Sequence, residues 1–153
     1  MFLLGWNGFK TVGFEVNPQR GRSAGLLREV LQRVEPALTA NVRLIRGEFP
    51  VRFCPGPRPG SMVLTTNLVA SCPRPRQLAV LRAMRRYPFV LSDVQRFFDY
   101  RPQLDQEPEA LALFSEAGLR DPELFLDLGA GGRYYLFANP VRRGLGLVSA
   151  LWR

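Results

Sequence analysis

The spacing of apolar side chains predicts a strand followed by a helix at the start of the chain. Residues 10–16, KTVGFEV, alternate apolar and polar positions with the period of a half-buried strand. The next segment, NPQRGR, predicts a break, after which Ser23 is expected to cap a helix that ends at Pro36. The apolar stripe of this helix would comprise Leu26, Leu27, Val30, Leu31 and Val34.

The pattern then predicts three more strands and a second helix. Residues 41–46, 49–53 and 61–70 are strand-like runs, and the turn CPGPRPGS separates the last two. A helix that follows Ser71 would bury Leu78, Leu81 and Met84. The order strand, helix, strand, strand, strand, helix predicts an α/β domain with one thioredoxin-like mixed sheet, which we assign to residues 9–87. The positions expected to form its core are Val12, Phe14, Val16, Leu27, Val30, Leu31, Val51, Phe53, Leu64, Leu78 and Leu81.

Residues 88–153 are expected to form a mostly helical C-terminal extension. Ser92 would begin a short helix over residues 92–100, Gly118 would close a second, and Asp121 would cap a third in DPELFLDLG. RYYLFA, rich in Tyr and Phe, predicts a strand. No apolar run approaches the roughly 20 residues that cross a bilayer, and no small-residue cleavage site follows the opening MFLLGWNGF. Neither a membrane span nor a secretory signal is therefore expected.

Charge is distributed unevenly along the chain, whose net charge is +8. Residues 1–86 contain 14 basic and 4 acidic groups, whereas residues 87–153 contain 7 arginines and 9 acidic groups. Lys10 is the only lysine, and guanidinium groups bind phosphate in a bidentate manner and stack on bases. A GC-rich genome would also favour arginine codons, but it would not account for the asymmetry. The basic half therefore predicts an RNA-binding surface.

Histidine, the residue type that acts most often as a general base, is missing from the 153-residue chain. Its absence also excludes the commonest metal ligand. Cys54 and Cys72 are the only cysteines and form no CxxC pair, so a zinc site is excluded and buried free thiols are expected. Acidic residues near positions 107 and 121 lie where helix starts favour negative charge. We therefore expect no enzymatic activity, no catalytic residue, no metal and no cofactor.

One stretch, LFLDLGAGGRYY over residues 124–135, resembles the cofactor-binding motif of methyltransferases. That motif needs a strand that enters the glycines and a helix that leaves them. Here the entering segment is predicted to be helical, the leaving segment is predicted to be a strand, and only 21 residues follow Gly132. We interpret the stretch as a helix stop and a turn, and we expect no adenosylmethionine binding.

The candidate RNA-binding residues are arginines at the ends of the two predicted helices. One pair flanks the start of the first helix, where backbone N–H groups and the helix dipole favour an anion. The others cluster at the two ends of the second helix and leave its apolar stripe free for the core. An alternative is that these arginines are merely solvated or pair with the acidic half. The predicted contacts are Arg20, Arg22, Arg74, Arg76, Arg85 and Arg86.

Residues 10–86 resemble the small thioredoxin-like proteins of the mitochondrial ribosome, a group that also resembles a small subunit of respiratory complex I. The matching features are KTVGFEVNP, the helix RSAGLLREVLQRV, the strand NVRL, FPVRF and the helix PRQLAVLRAM. The resemblance is to the L-fifty-three type of the large subunit. The GPRPGS turn replaces the Asp-Gly hairpin typical of that type, and the acidic C-terminal extension has no counterpart in it.

This resemblance implies a non-catalytic scaffold protein in the mitochondrial matrix that contacts ribosomal RNA and neighbouring ribosomal proteins. The basic, acid-free N-terminal segment before Glu15 is compatible with mitochondrial import. The alternative is a protein–protein interaction module that binds no RNA, such as an accessory subunit of a respiratory complex or a viral assembly factor. Salt dependence would distinguish the two, because phosphate contacts release counterions.

Overall fold

The computed structural model describes residues 1–50, 56–65, 73–93, 107–127 and 133–138. They form a mixed α/β structure, which confirms the predicted class. In chain order the elements are α1 (Phe2–Trp6), β1 (Thr11–Glu15), α2 (Pro18–Val34), α3 (Ala37–Ala40), β2 (Val42–Arg46), β3 (Met62–Thr65), α4 (Arg74–Met84), β4 (Phe89–Asp93), α5 (Glu107–Glu116), β5 (Glu123–Asp127) and β6 (Arg133–Ala138).

The chain divides into two compact units, Met1–Cys54 and Pro55–Arg153. The sequence placed the boundary between residues 87 and 88 instead, with one mixed sheet before it. In the structure β1 and β2 form one sheet, and β3 pairs with β4 in another. The boundary in the structure lies earlier than the predicted one because β3 and α4 belong to the same unit as the strands that follow them. Residues 55–87 therefore group with residues 88–138.

The first unit is a strand–helix–strand arrangement. β1 and β2 run parallel, with Thr11 opposite Val42 and Glu15 opposite Arg46. On one face of the sheet Phe14 packs against Phe49, with ring centroids 5.5 Å apart and planes at 70°, an edge-to-face geometry. Phe49 is buried, whereas Val12 and Phe14 are only half-buried. The prediction of a strand over residues 10–16 is confirmed for Thr11–Glu15, but Val16 is exposed.

Helix α2 begins at Pro18, earlier than the sequence pattern predicted. Asn17 is its N-cap, and the side-chain Oδ1 accepts hydrogen bonds from the backbone N–H groups of Gln19 at 2.9 Å and Arg20 at 3.1 Å. Ser23 lies inside the helix, where its hydroxyl donates to the Gln19 carbonyl. The prediction that Ser23 caps the helix was wrong because Asn followed by Pro supplies both a cap and a pre-set first helical φ angle.

The side of α2 that faces the sheet is also not the one predicted. Gly21 is buried, and Ala24 and Gly25 are half-buried, while the side chain of Arg46 on β2 lies 3.5 Å from the point where a Gly21 Cβ would be. Small side chains therefore occupy the side of the helix that faces the two-stranded sheet. Leu27 and Val30, predicted as core residues, are exposed instead, and Leu31 is half-buried.

The second unit contains a four-stranded sheet of order β3-β4-β6-β5. β3 and β4 are parallel, and the β4–β6 and β6–β5 pairs are antiparallel. Its core confirms Leu81, whereas Leu64 is exposed and Leu78 is half-buried; Val51 and Phe53 lie outside the described residues. The fully buried large side chains of the core are Leu81, Met84, Val90, Leu113, Phe114 and Phe137.

The predicted helix over residues 107–119 is confirmed as α5, which Gly118 closes. Gly118 has φ of +87°, and its N–H donates to the Ser115 carbonyl, while the Leu119 N–H donates to the Phe114 carbonyl. These two bonds form a Schellman motif, which satisfies carbonyls that a helix end leaves unpaired. Phe114 then stacks on Phe137 of β6 with centroids 4.6 Å apart and planes 3° apart, which joins α5 to the sheet.

The predicted start of one further helix was wrong, and another predicted helix forms a strand instead. Ser92 begins no helix but lies buried in β4; the rest of that predicted helix, residues 94–100, lies outside the described residues. Asp121 caps no helix, because its φ of +51° is left-handed, and residues 123–127 form β5. Pairing of β5 with β6 supplies the backbone hydrogen bonds that a helix would otherwise have made.

The strand β6 confirms the prediction for RYYLFA and clarifies the glycine-rich stretch. β5 and β6 are antiparallel, with Asp127 opposite Arg133, so residues 128–132 connect two paired strands. A methyltransferase motif has a helix after its glycines, whereas here the glycines are followed by a strand. The glycines therefore belong to a connection between β-strands, and the predicted helix stop before them is replaced by a strand end.

A glycine pair in the first unit provides a stability test. In α1, a Cβ at Gly5 would lie 2.5 Å from Cγ2 of Val42, a buried and β-branched side chain that cannot turn away. Gly5→Ala should therefore lower the free energy of unfolding by about 1–3 kcal/mol in urea denaturation followed by circular dichroism. In the control Gly21→Ala the nearest atom lies 3.5 Å away, and stability should rise by about 0.5–1 kcal/mol. Equal effects of the two substitutions would contradict the described docking of α1 on Val42.

Candidate nucleic-acid interface

Helix α4 contains three arginines and two more follow it directly, while residues 73–86 contain no acidic residue. Its inner face is defined by burial of Gln77, Val80, Leu81 and Met84, which recur at helical spacing. At about 100° per residue, the opposite face contains Ala79 and Arg82. Arg86 lies in the turn after the helix, but the helical φ and ψ of Arg85 place it on the same side. All three residues are exposed. The core therefore directs these two guanidinium groups, one helical turn apart, away from the second unit.

The first turn of α4 has an unusual electrostatic composition. Its N-cap residue, Pro73, makes no side-chain hydrogen bond to the helix, and no acidic residue is present in the first turn. Arg74 and Arg76 lie there instead. Positive side chains at the positive end of a helix dipole repel that end unless an anion is bound nearby. The arrangement is thus suited to a phosphate or a carboxylate.

Arg74 has a carboxylate partner within the chain. Its Nη2 forms an ion pair with Oε2 of Glu116, the last residue of α5, and the two side chains are 56% and 44% exposed. Exposed pairs of this kind contribute about 0–1 kcal/mol and exchange readily with solvent. Arg74 therefore helps to hold α4 beside α5. This contact agrees with the alternative in which the arginines pair with the acidic half.

Arg85 also has a structural role. Its guanidinium lies directly over Gly118, so that a Cβ at Gly118 would collide with Nη1 and come within 3.0 Å of Cδ. A cation at the C-terminal end of α5 complements the negative end of that helix dipole. Arg86, the next residue, is exposed on the outer face. Of the predicted contacts, Arg74 and Arg85 therefore face α5, and Arg86 faces outward. Arg82 also faces outward. The prediction omitted it, although its spacing of four residues from Arg86 is visible in the sequence.

Arg20 and Arg22 lie on α2 in the first unit and are both exposed. The backbone anion site predicted beside them was wrong, because the side chain of Asn17 already occupies the N–H groups of Gln19 and Arg20. The two arginines can still contact a ligand through their guanidinium groups. Because Arg74, Arg76, Arg85 and Arg86 belong to the other unit, the predicted contacts form two sets, each described within its own unit.

A cluster of four polar side chains joins α5 to β5 and β6. The carboxylate of Glu107, the first residue of α5, accepts hydrogen bonds from the Tyr135 hydroxyl at 2.6 Å and from Nη1 of Arg133 at 2.8 Å. Nε of Arg133 donates to Oδ2 of Asp127 at 3.1 Å. The hydrogen bond to Glu107, followed by burial, raises the pKa of Tyr135 to about 12. The phenol therefore remains protonated near neutral pH and acts as a donor, not as a nucleophile.

A cleft of about 370 Å³ lies in the first unit between α2 and the β1–β2 sheet. Its lining mixes the cations Arg28 and Arg46 with the anions Glu15 and Glu29. The lining thus favours neither an anion nor a cation, and we assign it no ligand. Over the described part of the chain, no three His, Cys, Asp or Glu side chains come together to hold a metal, and none of the described helices combines the length and apolarity of a membrane span.

Comparison with protein-family models finds no match for this sequence. Comparison with curated proteins finds no relative either. The functional proposal therefore rests on the residues and geometry described above and on the resemblance noted in the sequence.

The Glu107 cluster leads to a prediction about pH. In the native chain, the tyrosinate absorbance of Tyr135 should rise with a midpoint near pH 12, against about 10 for an unperturbed phenol. The transition is assigned to Tyr135 by its absence in Tyr135→Phe. Because the folded-state pKa is raised, the stabilisation is fully present below about pH 10 and is lost as pH rises towards 12.

The same titration can identify the cause of the shift. In Glu107→Ala the hydrogen-bond acceptor is gone, so the midpoint should return close to that of an unperturbed phenol. Glu109→Ala is the control, since Glu109 is an exposed carboxylate in the same first turn of α5, whereas the phenol donates to Glu107. A midpoint unaffected by Glu107→Ala would show that burial alone raises the pKa.

Proposed function

We propose that this chain is a non-catalytic structural component of a ribonucleoprotein, and specifically of the large subunit of the mitochondrial ribosome. In this role it binds RNA phosphates through α4 and contacts neighbouring ribosomal proteins through other surfaces. The observation that carries the proposal is the composition of α4 and the turn that follows it, which present Arg82 and Arg86 outward and an acid-free first turn without a side-chain cap.

The electrostatics of α4 favour RNA over a small anion. Arginines are spread over both ends and the outer face of an 11-residue helix, a length of about 16 Å at 1.5 Å per residue. A single small anion would engage one end of such a surface, whereas a polynucleotide backbone places successive phosphates along it. The absence of acidic residues from residues 73–86 removes local repulsion of the backbone.

The mitochondrial ribosome is favoured by the sequence resemblance over residues 10–86. The parallel unit β1–α2–β2 has the strand–helix–strand order with which the resembling thioredoxin-like domains begin. We retain a thioredoxin-like ancestry and a matrix location as parts of the proposal. The division into two sheets is a departure from a single thioredoxin-like sheet.

The test compares neighbouring arginines on α4. The double substitution Arg82→Ala/Arg86→Ala removes two outward cations, so the affinity for a fluorescein-labelled RNA hairpin should fall by roughly 10-fold or more in low salt. Binding should weaken similarly for hairpins of unrelated sequence, and the slope of log affinity against log salt should flatten by roughly 1–2 units. Fluorescence anisotropy over a salt series measures both quantities.

Arg85→Ala is the matched control for this experiment. Because Arg85 lies over Gly118 at the end of α5, its loss should lower the melting temperature while changing RNA affinity less than the outward pair does. If the outward pair instead lowers stability and leaves RNA affinity unchanged, RNA is not the ligand of α4. That result would favour the alternative, an interaction module that binds only protein.

A further inference from the structure

An apolar stripe runs along the side of α2 that points away from the β1–β2 sheet. Leu26, Leu27, Val30 and Val34 are 63%, 50%, 56% and 77% exposed, respectively. The opposite side of the helix packs on the sheet through Gly21, so this stripe is not needed to hold α2 in the first unit. Soluble proteins rarely expose a continuous apolar patch without a binding role.

The spacing within the stripe fits another helix. Leu27, Val30 and Val34 follow one another at intervals of three and four residues, the a–d–a spacing by which helices pack knobs into holes. A helix that lies on a membrane surface usually inserts bulky or aromatic side chains, whereas this stripe contains only Leu and Val. A helical protein segment is therefore a better occupant than a lipid surface.

The charges beside the stripe define the partner further. Arg20 and Arg22 lie near its N-terminal end and Arg33 near its C-terminal end, and all three are exposed. Among the described residues none of the three has an ion pair with a carboxylate. Helix α2 as a whole contains four arginines and one glutamate, Glu29. Docking of a second copy would bring these arginines together, whereas an acidic helix would neutralise them.

We infer that α2 is the docking surface for an acidic amphipathic helix of a partner protein. The partner's apolar side chains pack on Leu27, Val30 and Val34, and its Glu or Asp side chains pair with Arg20, Arg22 and Arg33. This assigns Arg20 and Arg22, predicted from sequence as RNA contacts, to a protein interface. The inference stands on the first unit alone and does not depend on RNA binding by α4.

The test uses the full-length chain and two synthetic helical peptides of about three heptads. Both peptides carry Leu at positions a and d; one carries Glu at positions e and g, and the other carries Lys there. Isothermal titration calorimetry should show that the Glu peptide binds at least about 10-fold more tightly than the Lys peptide. The preference should decrease as salt is added, because the rim charges are exposed.

Two variants assign the binding to the stripe. Leu27→Ser/Val30→Ser should reduce affinity for the Glu peptide at least about 10-fold, and circular dichroism should show an unchanged fold, since both side chains are exposed. Leu64→Ser, a control at 51% exposure in β3 of the other unit, should leave peptide affinity unchanged. Arg20→Glu/Arg33→Glu should reverse the preference, so that the Lys peptide binds more tightly.

Three results would overturn the inference. One is equal affinity for the two peptides, and another is loss of Glu-peptide binding in Leu64→Ser to the same extent as in Leu27→Ser/Val30→Ser. The third is occupation of the stripe by something else, seen as dimer formation in analytical ultracentrifugation or as binding to anionic phosphatidylserine vesicles that the double serine variant abolishes. Failure of the RNA proposal is separate, since Arg82→Ala/Arg86→Ala should not change peptide affinity.

Discussion

Burial of Leu81 and Met84, which are fully inaccessible to solvent, determines the orientation of α4 and thereby the positions of its arginines. Fully burying side chains of this size contributes roughly 1.5–3 kcal/mol each, more than exposed guanidinium groups gain by pairing with carboxylates. The helix therefore rotates to satisfy its apolar face, and the arginines take the remaining positions. Arg82 and Arg86 point outward for this reason, and Arg74 and Arg85 lie towards α5.

This geometry separates the arginines at α4 into two kinds. A count of charges along the sequence could not make that distinction. Arg74 and Arg85 contact the end of α5, at Glu116 and over Gly118 respectively, and so contribute to the fold. Arg82 and Arg86 contribute to the surface. The arginines at α4 are thus divided between contacts with α5 and exposed positions on the outer side.

The sequence predicted best those elements whose signals are local. Gly118 was identified as the end of α5 because a left-handed residue after an apolar, periodic segment is a local feature. Leu81 was identified as a core residue because the large apolar side chains of this helix recur on one face, and Leu81 is on that face.

The signals that failed were overridden by partners distant in sequence. Asp121 and Pro122 have the composition of a helix start, yet pairing with β6 makes the following residues a strand. The apolar stripe of α2 has helical period, but period does not reveal that Gly21 rather than Leu27 faces the sheet. Arg82 was left out of the predicted contacts because these were chosen at the ends of the helix, although its position opposite Leu78, Leu81 and Met84 follows from helical spacing.

The most direct test of the ribonucleoprotein proposal is sedimentation of the tagged protein in a sucrose gradient of mitochondrial lysate. A structural component of the large subunit should migrate with the large-subunit RNA at moderate salt. It should move to the top of the gradient after ribonuclease treatment, because its phosphate ligands are then destroyed. A protein that remains at the top of the gradient before ribonuclease treatment, or that migrates in a membrane or protein complex insensitive to ribonuclease, would contradict the proposal.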